Sequence, residues 1–250
     1  MTARTALVTN ALQFAGPPAV DALLGADFRV VAHDPAFADA SRHAAYVLER
    51  PSVLALTEQA PAAIVEAAWS ATGGLDVVVA HDAHPAIHGP IEDANVDDLR
   101  DTLERLVVFP FALARAYVPR LKTRPGARVV AITSNRTRLP LRGGAIPDAA
   151  RAAANALVRS LSLELAPYRV PVNAIAPNYL YSETYFPRAV FVDDPKGRAF
   201  IEQVVPVGRL ARPEEIGELV RYLATAAGTF MTGAIIDFSG GWPSAPPRPA

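Results

Sequence analysis

The sequence predicts an α/β fold: a single doubly wound domain whose seven-stranded parallel sheet carries helices on both faces. Three observations predict it. Seven short apolar runs recur along the chain, too continuous for strands with one wet face and suited to strands covered on both sides. Stretches with helical spacing of apolar residues lie between them. No linker or internal repeat interrupts this alternation, so one domain is expected over 1–241, followed by a Pro-rich tail over 242–250.

The first run is 6–9, the second 28–32 and the third 52–56. Runs 76–80 and 128–132 are the clearest, being β-branched and nearly unbroken, and 172–176 and 234–238 complete the set. Among the helical stretches, 18–24 is short and 61–70 is alanine-rich. A long helix is expected over 96–121, where Leu99, Leu103, Leu106 and Val107 repeat near helical spacing. Another is expected over 148–166, with Ala152, Ala156, Leu157, Leu161 and Leu165 on related faces. The stretch 213–225 opens on Pro213 with Glu214 and Glu215 behind it, a residue order that suits a first turn. Such alternation implies right-handed crossovers.

Composition narrows the function classes. With 250 residues, 51% hydrophobic and 20% charged, the chain can bury a sizeable core. Its 24 basic and 25 acidic side chains nearly cancel, which gives no reason to expect nucleic acid or a membrane surface as partner. The absence of cysteine excludes disulfides, thiolate catalysis and cysteine-ligated zinc. No run approaches a membrane span, and residues 1–5 lead straight into an apolar strand, so a cytoplasmic protein is expected. Of the 23 prolines, several fall in 243–249, which reads as an extended end.

The first strand-to-helix turn decides whether a Rossmann-like sheet holds a dinucleotide, because glycines there let backbone N–H groups approach the pyrophosphate. Here it reads Thr9, Asn10, Ala11, Leu12, Gln13, Phe14, Ala15, Gly16. It resembles the short-chain dehydrogenase loop, Thr-Gly-x-x-x-Gly-x-Gly, with Asn10 and Phe14 at two glycine positions and only Gly16 kept. A phenylalanine ring fills volume that a phosphate or ribose needs and offers no donor. The expectation is therefore no nicotinamide cofactor, although ordinary core filling by Phe14 is also open.

Ser134 ends the run 128–132 and the two residues after it, where the dehydrogenase-type superfamily places a catalytic serine. A tyrosine on the next helix, with a lysine four residues beyond on the same face, moves the proton in ordinary members. In this sequence Pro147 and Arg151 stand thirteen and seventeen residues after Ser134. Arg151 reads either as a pocket residue or as a solvated helix arginine.

Taken together, the chain resembles the halohydrin dehalogenases, relatives of the short-chain dehydrogenases, over essentially its whole length. The resemblance rests on Thr9-Asn10 with Phe14, His33-Asp34, Phe109-Pro110-Phe111-Ala112-Leu113, Ile132-Thr133-Ser134 and Ser162-Leu163-Glu164-Leu165. Its most specific piece is Pro177-Asn178-Tyr179-Leu180-Tyr181-Ser182-Glu183. Arg209-Leu210, Glu215-Ile216-Gly217-Glu218-Leu219 and Gly240-Gly241 complete it. The resemblance implies cofactor-independent conversion of vicinal haloalcohols to epoxides with halide release, and epoxide opening by small anions in reverse. It implies a lyase in which a serine holds the substrate hydroxyl while an arginine favours the tyrosinate that takes the proton. By position the serine is Ser134 and the arginine Arg151. The implied halide pocket involves Phe14, Pro177, Asn178, Tyr179 and Leu180, where ring edges and backbone N–H groups suit a weakly hydrated anion. The implied assembly is a homo-oligomer, dimer or tetramer.

The chain departs from the family at its tyrosine. That position is Pro147, which has no ionisable group, and no tyrosine lies between Tyr117 and Tyr168. Three readings stay open. Asp148, three residues before Arg151, is a candidate substitute base, although it also suits a helix first turn as an anion. Tyr179, Tyr181 and Tyr185, in an aromatic segment over 179–200 expected to act as a lid or a small satellite core, are others. The third reading is a non-catalytic oligomeric homologue that binds a small ligand or anion.

Other polar residues were weighed. His33-Asp34 and His81-Asp82, with His84 and His88, look briefly like a metal cluster, but loop placement alone is weak support and no metal is expected. Asp34 stands where dehydrogenases hold the adenine ribose. With Gly16 it gives the remaining alternative, an NAD(P)-dependent short-chain oxidoreductase, its modest support. Trp242 is expected either to reach a neighbour's pocket or to cap its own sheet.

Overall fold

A computed structural model describes residues 3–81 and 83–245. Asp82, from the histidine–aspartate cluster, and the tail residues 246–250 lie outside the described residues.

The chain alternates as the apolar runs require. Strand β1 (Thr5–Val8) is followed by α1 (Gly16–Leu24), β2 (Arg29–His33), α2 (Ala40–Glu49), β3 (Leu54–Leu56), α3 (Pro61–Thr72) and β4 (Val77–His81). Next come α4 (Val96–Leu103), α5 (Phe109–Leu121), β5 (Arg128–Ile132), α6 (Ala145–Leu165) and β6 (Val172–Pro177). The chain then forms α7 (Arg188–Phe191), α8 (Pro195–Val204), α9 (Pro213–Thr225) and β7 (Ile235–Phe238).

All seven strands join one parallel sheet in the order β3-β2-β1-β4-β5-β6-β7. The order reverses between β1 and β4, and ligands of such sheets bind outside the strand ends at this switch point. Successive residues of each strand feed opposite cores. Val8, Val79 and Val130 pack with Val20 of α1 and Ile216 of α9, whereas Leu7, Val78 and Val129 pack with Ile64 of α3 and Leu113 and Tyr117 of α5. Burial on both sides explains why these strands read as unbroken apolar runs.

Two expected helices change and three others are added. The helix α2 is added, and two short helices, α7 and α8, lie in and just beyond the aromatic segment. The stretch 96–121 is not one regular helix: a π-turn over Glu104–Val108 separates α4 from α5. Pro110 follows directly and has no N–H to offer the preceding turn, so the wider turn sits where the α ladder is interrupted. The helix expected over 148–166 begins earlier, so that Pro147 is its third residue. An N–H there has no intrahelical acceptor, so proline is tolerated without losing a bond.

Candidate active site

The ends of β1, β4, β5 and β6 converge on a cavity of about 530 Å³. Its walls include Phe14, Ser134, Arg136, Pro147, Arg151, Pro177, Asn178, Tyr179, Leu180 and Tyr185, together with Trp242.

The first turn is built to resist opening. Thr9 Oγ1 donates to the His81 carbonyl at 2.8 Å and accepts from the His81 N–H at 2.9 Å, and Asn10 Nδ2 donates to the same carbonyl at 2.9 Å. A Cβ on Gly16 would lie 2.1 Å from the Asn10 carbonyl oxygen, so this glycine is required by close approach. Asn10 and Phe14 have φ of 48° and 50°, the left-handed backbone that glycine adopts without cost. Phe14 thus keeps a glycine-like backbone while adding a ring. That ring packs edge-on to Tyr185 at 4.9 Å and beside His81 at 5.8 Å between centroids.

Ser134 follows β5 within the loop that precedes α6. Its Oγ accepts the Arg136 N–H at 3.2 Å, and Asn155 of α6 donates to the Ser134 carbonyl at 3.0 Å. Arg151, one turn beyond Pro147, donates from Nη2 to the phenolic oxygen of Tyr185 at 3.1 Å. That oxygen also accepts the His84 N–H at 3.0 Å and donates to the His84 carbonyl at 2.9 Å. A lid tyrosine therefore reaches the arginine across the face where Pro147 has no phenol.

The other candidate bases are placed differently. Asp148 forms an ion pair with Arg136 and is not part of the cavity wall. Tyr181 lines a separate outer groove with Arg188, and its hydroxyl donates to Glu183 at 2.6 Å. Tyr179 lines the cavity, with burial pushing its phenol upward. In the segment expected to hold an anion, the Asn178 N–H donates to the Phe238 carbonyl and the Tyr179 N–H to Asn178 Oδ1, which leaves the Leu180 N–H outside these bonds. The aromatic segment forms a run of ring contacts along the cavity wall. Tyr179, Phe186, Phe191 and Phe200 touch in succession at 5.2 to 6.3 Å, and all four line the cavity. Trp242 packs against its own Tyr179 at 5.7 Å.

Burial sets the histidine charges. His81 is held down to about 4 by desolvation, with the Arg151 charge adding to the effect, and His33 is held down to about 4 by desolvation. Among the described residues no three His, Asp or Glu side chains gather as metal ligands. Arg136 is a charged wall residue that the sequence does not single out, as are the apolar Ala86, Leu139, Leu141 and Val204. The signal for Arg136 was a position two residues past Ser134 in the loop leaving a central strand.

A family model described as enoyl-(acyl carrier protein) reductase matches residues 52–243. The human dehydrogenase/reductase SDR family member 4 is 29% identical over 181 residues, which cover 72% of this chain and 64% of that protein. The match thus spans just under two thirds of that relative's length. A solved halohydrin dehalogenase, bound to ethyl (2S)-oxiran-2-ylacetate, is 34% identical, with a TM-score of 0.94 over 98% of this chain and all of that one. A solved dehalogenation enzyme is also 34% identical, with a TM-score of 0.91 over 96% and 98%.

The chain belongs to the halohydrin dehalogenase family of the short-chain dehydrogenases/reductases. Against that family's pattern its departure is Pro147 in place of the expected tyrosine. The wider superfamily implies a nicotinamide dinucleotide, and the residues do not fit one. The Phe14 ring projects from a glycine position of the phosphate loop. Asp34 spends its carboxylate on the Leu12 N–H at 3.0 Å and the Ala36 N–H at 2.9 Å, which braces the turn and satisfies the group that would meet a ribose.

Proposed function

We propose that this chain is a cofactor-independent halohydrin dehalogenase that closes vicinal haloalcohols to epoxides with halide release and, in reverse, opens epoxides with small anions. One observation carries the reading: the Arg151–Tyr185 hydrogen bond supplies an arginine-assisted phenol where the family position holds Pro147. Ser134 Oγ–H holds the substrate hydroxyl. Tyr185, as tyrosinate, takes its proton, and the charge is supported by the Arg151 Nη2–H and the His84 backbone N–H. The alkoxide oxygen forms a bond to the neighbouring carbon as the carbon–halogen bond breaks. The halide leaves toward Phe14, Pro177, Asn178, Tyr179 and Leu180. No electron transfer is needed, which agrees with a first turn unsuited to a dinucleotide. Partners are then a small haloalcohol or epoxide, a small anion and further copies of this chain. Exposed Val108, Phe111 and Leu163 on the helices support such a homo-oligomer. For location, no described helix is long and apolar enough to cross a membrane, which is compatible with a cytoplasmic site.

The experiment is bromide release from 1-bromo-2-propanol across pH. Release by the wild-type protein well above that of Ser134→Ala supports the proposal, and equal release overturns it.

A second reading, a homologue that binds without turnover, draws on one specific bond. The Tyr185 hydroxyl already donates its proton to the His84 carbonyl within the protein. Ligand-dependent melting with no halide release would select it.

A further inference from the structure

The cavity has a second cation that the proposed reaction does not use. Arg136 and Arg151 both line it, and among the described residues no carboxylate does. Arg136 is not a loose surface arginine. Its Nε donates to Asp148, and the two side chains are only 15% and 17% exposed. Gly144 makes room for it: a Cβ there would sit 2.5 Å from Arg136 Nη2 and 2.9 Å from Asp148 Oδ2. Nη2 is buried and has no hydrogen-bond acceptor among the described residues. That nitrogen packs against Gly144, so contact between Arg136 and a molecule in the cavity falls to the rest of the guanidinium. Arg138, two residues on, is 60% exposed and reaches Asp237 instead. The inward turn is therefore particular to Arg136.

The same residue is tied to the reacting end of the cavity, because its backbone N–H donates to Ser134 Oγ at 3.2 Å. A molecule whose hydroxyl sits on Ser134 is thus presented to the Arg136 turn a few bonds further along its chain. With Nε on Asp148 and Nη2 against Gly144, Nη1 is the guanidinium nitrogen left for a ligand, and its charge-assisted N–H suits the directed lone pairs of a carboxylate better than a spherical halide. We infer that Arg136 is a specificity residue for a carboxylate carried by the substrate, and that the preferred substrates are vicinal halohydroxy acids and their epoxy acids. Asp148 is its positioning residue.

This rests on the dehalogenase reading. With 4-chloro-3-hydroxybutanoate the hydroxyl proton goes to Tyr185, the oxygen bonds to C4 and chloride leaves, giving 3,4-epoxybutanoate with no oxidant or reductant.

The test compares that acid with its isosteric amide, 4-chloro-3-hydroxybutanamide, in chloride release. Wild-type protein is expected to prefer the acid by about tenfold or more in kcat/KM, the size of a charged hydrogen bond, chiefly through KM. Arg136→Met is expected to abolish the preference and Arg136→Lys to retain part of it. Calorimetry with 3-hydroxybutanoate and 3-hydroxybutanamide asks the same question without turnover. A carboxylate preference in binding, but no chloride release from either substrate, supports recognition by Arg136 and overturns the dehalogenase reading alone. Acid and amide treated alike by wild-type protein, in rate and in binding, overturn the inference. So does an Arg136→Met protein that binds bromide more weakly yet keeps the acid preference, because Arg136 then serves the inorganic anion. Should loss of Arg136 leave Asp148 too poorly matched to fold, Arg136→Met/Asp148→Asn replaces the single variant, and the wild-type comparison stands on its own.

Discussion

Arg151 Nη2 lies 3.1 Å from the phenolic oxygen of Tyr185, which joins the second turn of α6 to a loop residue 34 positions later. Tyr185→Phe removes this oxygen and leaves the His84 N–H and carbonyl unmatched. Bromide release is expected to fall by about 10²–10⁴-fold, the usual contribution of a general base. Stability should fall by about 1–3 kcal/mol in urea unfolding. Unchanged turnover would remove Tyr185 from the proposed chemistry.

Pro147 suggests the complementary experiment. As the third residue of α6 it lies in the cavity wall one turn before Arg151, and its substitution costs no helical hydrogen bond. Pro147→Tyr in the Tyr185→Phe background is expected to raise bromide release roughly tenfold or more above the single variant, by returning a general base to the arginine's own helix face. Rescue by Pro147→Phe to the same degree would show that packing, and not the phenol, is restored.

The strands and the broad outline of the site were legible in the sequence for physical reasons. Strands such as β5, Arg128–Ile132, are buried at every residue, so apolar continuity announces them. Helix α2 was missed because Tyr46 is its only buried residue among Ala40–Glu49, leaving no apolar stripe to read. Phe14, Pro177 and Leu180 were grouped by the family resemblance, and all three line one cavity. The choice among Asp148, Tyr179, Tyr181 and Tyr185 could not be made, because it depends on how the lid folds back. Arg136 takes Asp148, Glu183 takes the Tyr181 hydroxyl, and only Tyr185 reaches Arg151. No spacing rule along the chain encodes a contact between α6 and that lid.

Phe14 is held at φ 50° with its ring against Tyr185 and His81. Phe14→Gly relieves a left-handed backbone worth about 1–2 kcal/mol, while removing the ring contacts and one wall of the proposed anion pocket. The two stability effects oppose each other, so the melting temperature should move little. Bromide affinity, read by calorimetry, should weaken by up to about tenfold. NADH should still show no saturable binding, since Asp34 remains committed to Leu12 and Ala36.

His33 and His81 make stability depend on pH in a direction their burial fixes. Both are held down to about 4 from the ordinary 6.5, so between these values the unfolded chain binds protons that the native chain refuses. Unfolding therefore takes up protons, and stability is full above pH 6.5 and falls as pH drops toward 4. Each group contributes on the order of 3 kcal/mol over that window. Glu215, held down to about 2 chiefly by the Arg209 hydrogen bond, begins to add its own loss near its ordinary 4.5, at the low end of this range, but it does so equally in wild-type protein and a histidine variant. The clean test is His33→Phe. Both ring nitrogens of His33 lack partners among the described residues, and the ring stacks on Phe109 at 5.9 Å, so phenylalanine keeps the contact and loses no hydrogen bond. Urea unfolding at pH 7.5, 5.5 and 4.5 should show the variant at least as stable as wild-type protein at pH 7.5 and losing clearly less on acidification. Parallel losses in the two proteins would mean that proton uptake at His33 is not what destabilises the fold, and the acid sensitivity would then fall to the other histidines held low by burial, His81, His84 and His88.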